Sequence, residues 1–204
     1  ILQCIRLEKW KHLYGKELMA SFEALFALDE LNSLAGFAFS HPNAVFPNFT
    51  NIDFTLEAED AKHPFIAESK NIGNNIRFNG WGKFQIITGA NMAGKSTYLR
   101  TVGINTVLAM TGAPVLAKSF LLKPIDIFTG IKTSDSLQDG ESYFFAELKR
   151  LRRLVERLNE KRKPYFILDE ILKGTNSKDK SEGSLAFLEK VISLGGTGLI
   201  ATHD

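Results

Sequence analysis

Three short stretches carry residue types and spacings that could do chemistry. The first is Gly89-Ala90-Asn91-Met92-Ala93-Gly94-Lys95-Ser96-Thr97, which matches the spacing G-x-x-x-x-G-K-[ST]. Glycines let a backbone wrap closely around phosphate oxygens with its N–H groups pointing inward. A helix beginning near Gly94 would add its positive end to the same place. Lys95 is then positioned to reach the β- and γ-phosphates of a bound nucleotide, and Ser96 to bind Mg²⁺. The second stretch is Asp169-Glu170, which closes the apolar run Tyr165-Phe166-Ile167-Leu168. Two carboxylates at a strand end are commonly a solvated terminus. Downstream of a phosphate loop, on a strand expected to lie beside it, Asp169 suits Mg²⁺, directly or through water, and Glu170 suits a general base acting on water. The third is His203, at the end of Gly198-Leu199-Ile200-Ala201-Thr202. A histidine at that strand edge could face the γ-phosphate and help orient the attacking water. Glu170, His203 and Lys95 are thus the catalytic candidates for phosphoryl transfer to water, with Lys95 and Mg²⁺ neutralising charge at the γ-phosphate.

These groups need elements to hold them. Phe84-Gln85-Ile86-Ile87-Thr88 reads as a buried strand feeding the loop, and Lys95 to Met110 as the helix leaving it. Further strands are predicted near Ile125 to Lys132, Tyr165 to Leu168 and Gly198 to Thr202. Helices are predicted from about Tyr143 to Lys161 and Asp179 to Ser193. Such alternation implies an α/β layered domain with a largely parallel central sheet. Shorter β-type runs, Ile52 to Leu56 and Ile76 to Phe78, precede it, punctuated by Pro47, Pro64, Gly73 and Gly80. Residues 1 to about 39 read as helical, since Leu13, Leu18, Phe22, Leu25, Phe26, Leu28, Leu31 and Leu34 fall mainly at spacings of three and four. Gly15 is either a break between two helices or a tolerated interior glycine. His41-Pro42-Asn43 marks the change of texture. The division expected is 1–40, a helical connector, and 41–204, the domain with the phosphate loop.

The 204 residues suffice for one sizeable domain with a real core. A net charge of +2 excludes a strongly polyanion-seeking domain on bulk charge. Hydrophobic residues at 44% and charged residues at 24% exclude a disordered chain. The single cysteine, Cys4, excludes an intrachain disulfide and a cysteine metal cage. No apolar run approaches membrane-spanning length and no signal peptide is visible, so no membrane segment is expected, and a cytoplasmic location is. The basic residues Lys149, Arg150, Arg152, Arg153 and Arg157 share a predicted helix with Glu147, Glu156 and Glu160, which reads as a solvated face. The chain does not begin with Met and stops just after His203, so a fragment cut short at its C-terminus is expected.

Thr88 to Arg100, with Asn-Met inside the loop and Ser-Thr-Tyr-Leu-Arg after it, resembles the nucleotide loop of the MutS family of DNA mismatch-repair ATPases. Gly112-Ala113-Pro114-Val115-Leu116-Ala117 resembles the family's next turn, and Ile127-Phe128-Thr129-Gly130-Ile131 its following strand. Leu168 to Asp179 is similar to its acidic strand and the loop beyond, and Ala201-Thr202-His203 to its switch histidine. The similarity runs from about His63-Pro64 to the end. It implies a P-loop NTPase of ABC type that binds ATP and Mg²⁺ and works as a homodimer with composite ATP sites. It implies double-stranded DNA as a partner, contacted through regions outside this chain. Ser142, at a predicted helix start, matches a serine that reaches the partner's γ-phosphate; a bland alternative is that it caps its own helix. Asn176 and Ser177 match a loop that carries signals between the two sites, and Asp179 is placed to cap the following helix.

The sequence also departs from the family pattern. Ala90 and Ala93 stand where the family usually has Pro and Gly, and Leu172-Lys173-Gly174-Thr175-Asn176-Ser177 where it has Gly-Arg-Gly-Thr-Ser-Thr. No phosphate-loop glycine is lost, so nucleotide binding is expected to survive. Asn71 occupies the place of an aromatic that stacks on adenine, and Ile72 is expected to pack the ring edge instead. Asp204 follows the histidine where an aromatic is usual. These differences point to a divergent branch. Two rival readings stay open: a P-loop phosphotransferase, and a nucleotide-gated dimerisation module that does not hydrolyse.

Overall fold

The computed structural model describes residues 1–90, 92–131, 143–160, 163–172 and 177–202. The chain divides into two compact units, Ile1–Asn43 and Ala44–Asp204. The first is a single uninterrupted helix, α1 (Leu2–Ser40), with no buried residue. Gly15 is therefore an interior glycine and not a break. The helix ends where His41 turns back, its N–H donating to Ala38 O and its Nδ1 lying 2.9 Å from Phe37 O.

Among its described residues the second unit holds two four-stranded sheets. One contains β1 (Asn48–Phe49), β2 (Thr55–Ala61), β3 (Asn74–Asn79) and β5 (Ser119–Leu122), in the order β1-β5-β2-β3. Its central pairings, β2 with β3 and β2 with β5, are antiparallel. The other contains β4 (Phe84–Ile87), β6 (Ile127–Gly130), β7 (Tyr165–Asp169) and β8 (Thr197–Ala201), all parallel, in the order β4-β8-β7-β6. The fold is α/β, but the expectation of one largely parallel sheet describes only the second of these. The mixed sheet depends on β5, which pairs with strands far away in sequence and shows no periodicity of its own.

Helices α2 (Lys95–Met110), α3 (Tyr143–Leu158) and α4 (Ser177–Ser193) complete the unit. Strand alternation divides the core in two. Tyr165, Ile167, Leu199 and Ala201 face a cluster with Leu99 and Val102 of α2 and Phe54, Leu56, Ile76 and Phe78 of the mixed sheet. Phe166, Leu168 and Ile200 face the opposite way, onto Leu151, Leu154 and Leu158 of α3 and Phe187 and Val191 of α4. The inner strands β7 and β8 are thus buried on both faces, which explains their near-continuous apolar runs; β4, expected to be a buried strand, lies at the sheet edge with Gln85 and Ile86 exposed.

Gly198 sits at the centre of that sheet, opposite Phe84 on one side and Phe166 on the other. A Cβ there would lie 2.1 Å from the carbonyl oxygen of Phe166 and 2.5 Å from its ring. Backbone cannot yield as a side-chain tip does, so Gly198→Ala should sit near the top of the overpacking range, about 3 kcal/mol. Thermal melts should register a loss of roughly 6–12 °C. Gly36→Ala in α1, where the added methyl meets nothing within 4 Å, should cause no such loss. A Gly198→Ala protein melting with the wild type would contradict the β7–β8 register.

Candidate functional site

The candidate phosphate-loop residues lie at the C-terminal edge of the parallel sheet, the edge where open α/β sheets bind ligands. Register aligns Ile87, Ala201 and Asp169 on one row across β4, β8 and β7. Two bonds continue the row past the strand ends: Thr202 N–H donates to Ile87 O at 3.0 Å, and Glu170 N–H to Ala201 O at 2.9 Å. The acidic strand is therefore not the immediate neighbour of the strand that feeds the loop. β8 stands between them and delivers Thr202, the residue before His203, to the middle of the site. Helix α2, which starts at the loop, packs across β7 and β8.

The loop is shaped by left-handed backbone. Gly94, the N-cap of α2, has φ 88°, and Met92 has φ 65° with its side chain fully exposed. At Gly94 a side chain would be strained by about 1 kcal/mol or more. Ala90 and Ala93 have no positive φ, so the two departures from the family pattern impose no backbone strain. Ala93 N–H closes a turn onto Ala90 O at 3.3 Å.

Lys95 is only 8% exposed. A buried ammonium needs acceptors, and Lys95 Nζ donates to the carbonyls of Gly89 and Ala90, the latter at 2.9 Å. Its charge is thus held inside the loop's curve. Ser96 is half-buried and Thr97 exposed in the first turn of α2. Asp169 Oδ1 is buried and has no hydrogen-bond partner among the described residues. A buried carboxylate oxygen left this way costs free energy unless a cation or donor reaches it. Among the described residues no group of three or more His, Cys, Asp or Glu could form a protein-only metal cage. Ser96 with Asp169 fits the other mode, in which Mg²⁺ takes one or two protein oxygens and completes its shell with phosphate and water.

Glu170 and Leu172 both adopt positive φ, 51° and 57°, although neither is glycine. Each costs about 1–2 kcal/mol locally, and surrounding contacts must hold them. Ile171 and Leu172 are buried, and Leu172 N–H donates to Glu147 Oε1 of α3 at 2.7 Å. Glu147 is therefore not part of the solvated face the sequence suggested. That reading does hold for Arg152, paired with Glu156 at 2.9 Å on the exposed side of the helix, but not for Arg157, which is half-buried, its Nε out of water, with Glu160 at 3.3 Å and Asp126 at 3.8 Å. A signal that could have found Leu172 is its place where the family has glycine, the residue that adopts left-handed backbone freely.

Asn71 has a structural job. Its side chain accepts from His63 N–H at 3.1 Å and donates to His63 O at 2.7 Å and Ile66 O at 3.2 Å, closing the loop 63–71. Ile72 beside it is 81% exposed. Tyr98 of α2 brings its hydroxyl within 3.5 Å of Asn75 O, which ties this segment to the helix that leaves the phosphate loop. His63 in the same loop accepts from Phe65 N–H through Nδ1 at 3.2 Å. Burial, and secondarily Arg100, lower its pKa below the ordinary 6.5 and favour this neutral acceptor.

Asn91, Ser142, Asn176 and His203 lie outside the described residues. Asp179 falls in the first turn of α4, where a carboxylate suits the helix dipole.

A family model described as MutS domain V matches residues 85–204. The chain is 32% identical over 206 residues to the DNA mismatch repair protein MutS of Thermotoga maritima, covering 98% of this chain and 24% of that protein. It is 32% identical over 198 residues to MutS protein homolog 4 of Homo sapiens, covering 92% and 20%. It is 39% identical over 162 residues to the DNA mismatch repair protein MutS of Desulforapulum autotrophicum, covering 75% and 18%. The chain thus spans no more than 24% of the length of these relatives. Family model and relatives agree with the loop, the acidic strand end and the sheet that carries them: the chain belongs to the MutS family.

Proposed function

We propose that this chain is a P-loop NTPase domain of ABC type that binds ATP with Mg²⁺ and hydrolyses it. The observation that carries the reading is the row Ile87–Ala201–Asp169, which gathers the phosphate loop and the acidic pair at one sheet edge. The loop from Gly89 to Thr97 would cradle the phosphates with its N–H groups, and Lys95 would exchange carbonyl acceptors for phosphate oxygens. Ser96 and Asp169 would hold Mg²⁺, which when bound neutralises phosphate charge. Glu170, next to Asp169, would take the proton of the attacking water. His203 would help orient that water. Ile72 would lie against the edge of the adenine.

Two such domains would close on two nucleotides, each giving Ser142 to its partner's γ-phosphate, so that the working unit is a homodimer. The relatives named DNA mismatch repair protein MutS support a mismatch-repair role for a protein of their length. There, hydrolysis would drive movements of regions outside this chain that hold double-stranded DNA. Among the described residues no helix is long and apolar enough to cross a membrane; a cytoplasmic location is part of the proposal.

The test is ATP turnover with Mg²⁺ as a function of protein concentration. Specific activity should rise with concentration as composite sites assemble. A phosphorylated small-molecule product, with no free phosphate, would replace hydrolysis by transfer to another acceptor.

A further inference from the structure

We propose that Glu147 is a positioning residue for Glu170, acting through the turn 170–172; this rests on the ATPase reading above. Glu170 and Leu172 are left-handed without being glycine, so the turn does not support itself and persists only where its surroundings over-determine it. Among the described residues three contacts contribute to this. Glu170 N–H is anchored on Ala201 O of β8. Leu172 N–H is anchored on the Glu147 carboxylate. The Leu172 side chain is seated on α4 at Gly183, where a Cβ would come within 2.8 Å of Leu172 Cδ1.

Of these, only Glu147 is a side-chain hydrogen bond, and it is charge-assisted and short. Its platform is firm, because Leu151, Leu154 and Leu158 of α3 share one core with Ile171, Leu172 and Ile200. Leu172 is 4% exposed, so without Glu147 its N–H has little access to water as a substitute and the turn loses the bond that opposes its relaxation. Relaxation at residue 172 changes the backbone direction two residues after the proposed general base. A displacement of about 1 Å in such a group costs on the order of 100-fold in rate.

The experiment compares Glu147→Ala and Glu147→Gln with the wild type in the full chain. Steady-state ATP turnover and amide hydrogen exchange at Leu172 are both read. Glu147→Ala should lower kcat by about 10- to 100-fold with KM for ATP changed less than about threefold, and should speed exchange at Leu172. Glu147→Gln keeps an oxygen that accepts the same N–H, so it should hold kcat within about threefold and preserve slow exchange. If Glu147→Ala does not fold, Glu147→Asp takes its place: the acceptor is withdrawn by one methylene, and kcat should fall there but not in Glu147→Gln. The proposal is overturned by an active wild type whose Ala variant keeps full kcat or loses only KM. Equal losses in the Ala and Gln variants overturn it too, because charge and not the acceptor would then matter. A wild type that binds ATP without turning it over sinks the ATPase reading itself, and this role with it.

Discussion

Lys95→Ala should lose ATP binding by about 100- to 10,000-fold while leaving the fold intact. The magnitude comes from two charge-assisted contacts to phosphate oxygens, about 1.5–3 kcal/mol each, at 1.4 kcal/mol per factor of ten. Sparing of the fold follows from where the side chain sits. Among the described residues the ammonium is bonded to the Gly89 and Ala90 carbonyls, and both residues are exposed. Water replaces the lost donor at little cost, and removing a poorly hydrated charge offsets part of it. Isothermal titration with ATP and Mg²⁺, beside a thermal melt, separates the effects. Tight ATP binding by a folded Lys95→Ala protein would remove the loop from the site. A large drop in melting temperature would instead make Lys95 a structural residue that happens to lie in a phosphate-loop spacing.

Glu170→Gln should bind ATP normally and hydrolyse it about 100- to 10,000-fold more slowly, the usual contribution of a positioned general base. The substitution keeps shape, volume and the ability to sit at positive φ, so the turn and the Ala201 anchor should survive unchanged. Only the capacity to accept a proton is lost. If the working unit is a dimer closed on ATP, this variant should accumulate it, visible as a concentration-independent dimer in size-exclusion chromatography with ATP and absent with ADP. A slow variant with no dimer would leave the general base in place and remove the composite site. A non-hydrolysing gate gives the opposite pattern: nucleotide-dependent dimers in wild type and variant alike, with no turnover in either.

Much of the candidate site is legible in the sequence because it is local. A phosphate loop is nine consecutive residues, and its glycine spacing encodes backbone conformation directly. Helix α2 begins and ends where the residue pattern says, and β7 and β8 are legible as apolar runs because a sheet covered on both faces requires them. The family resemblance rests on the same contiguous stretches. What the sequence left open depended on residues distant in the chain. Strand β5 exists through its pairing with β2, about 60 residues away in sequence, and no pattern in Ser119-Phe120-Leu121-Leu122 announces it. The interposition of β8 between the loop's strand and the acidic strand is a matter of topology. Glu147 sits among charged neighbours and looked solvated, yet the fold presents it with a buried N–H. Asn71 looked like a lost base-stacking residue, yet it closes the loop in which it sits. Sequence determined which groups can do chemistry, since those depend on residue type and short spacing. Tertiary structure decided which polar groups hold the chemistry in place, since a buried N–H takes whichever acceptor folding brings within reach.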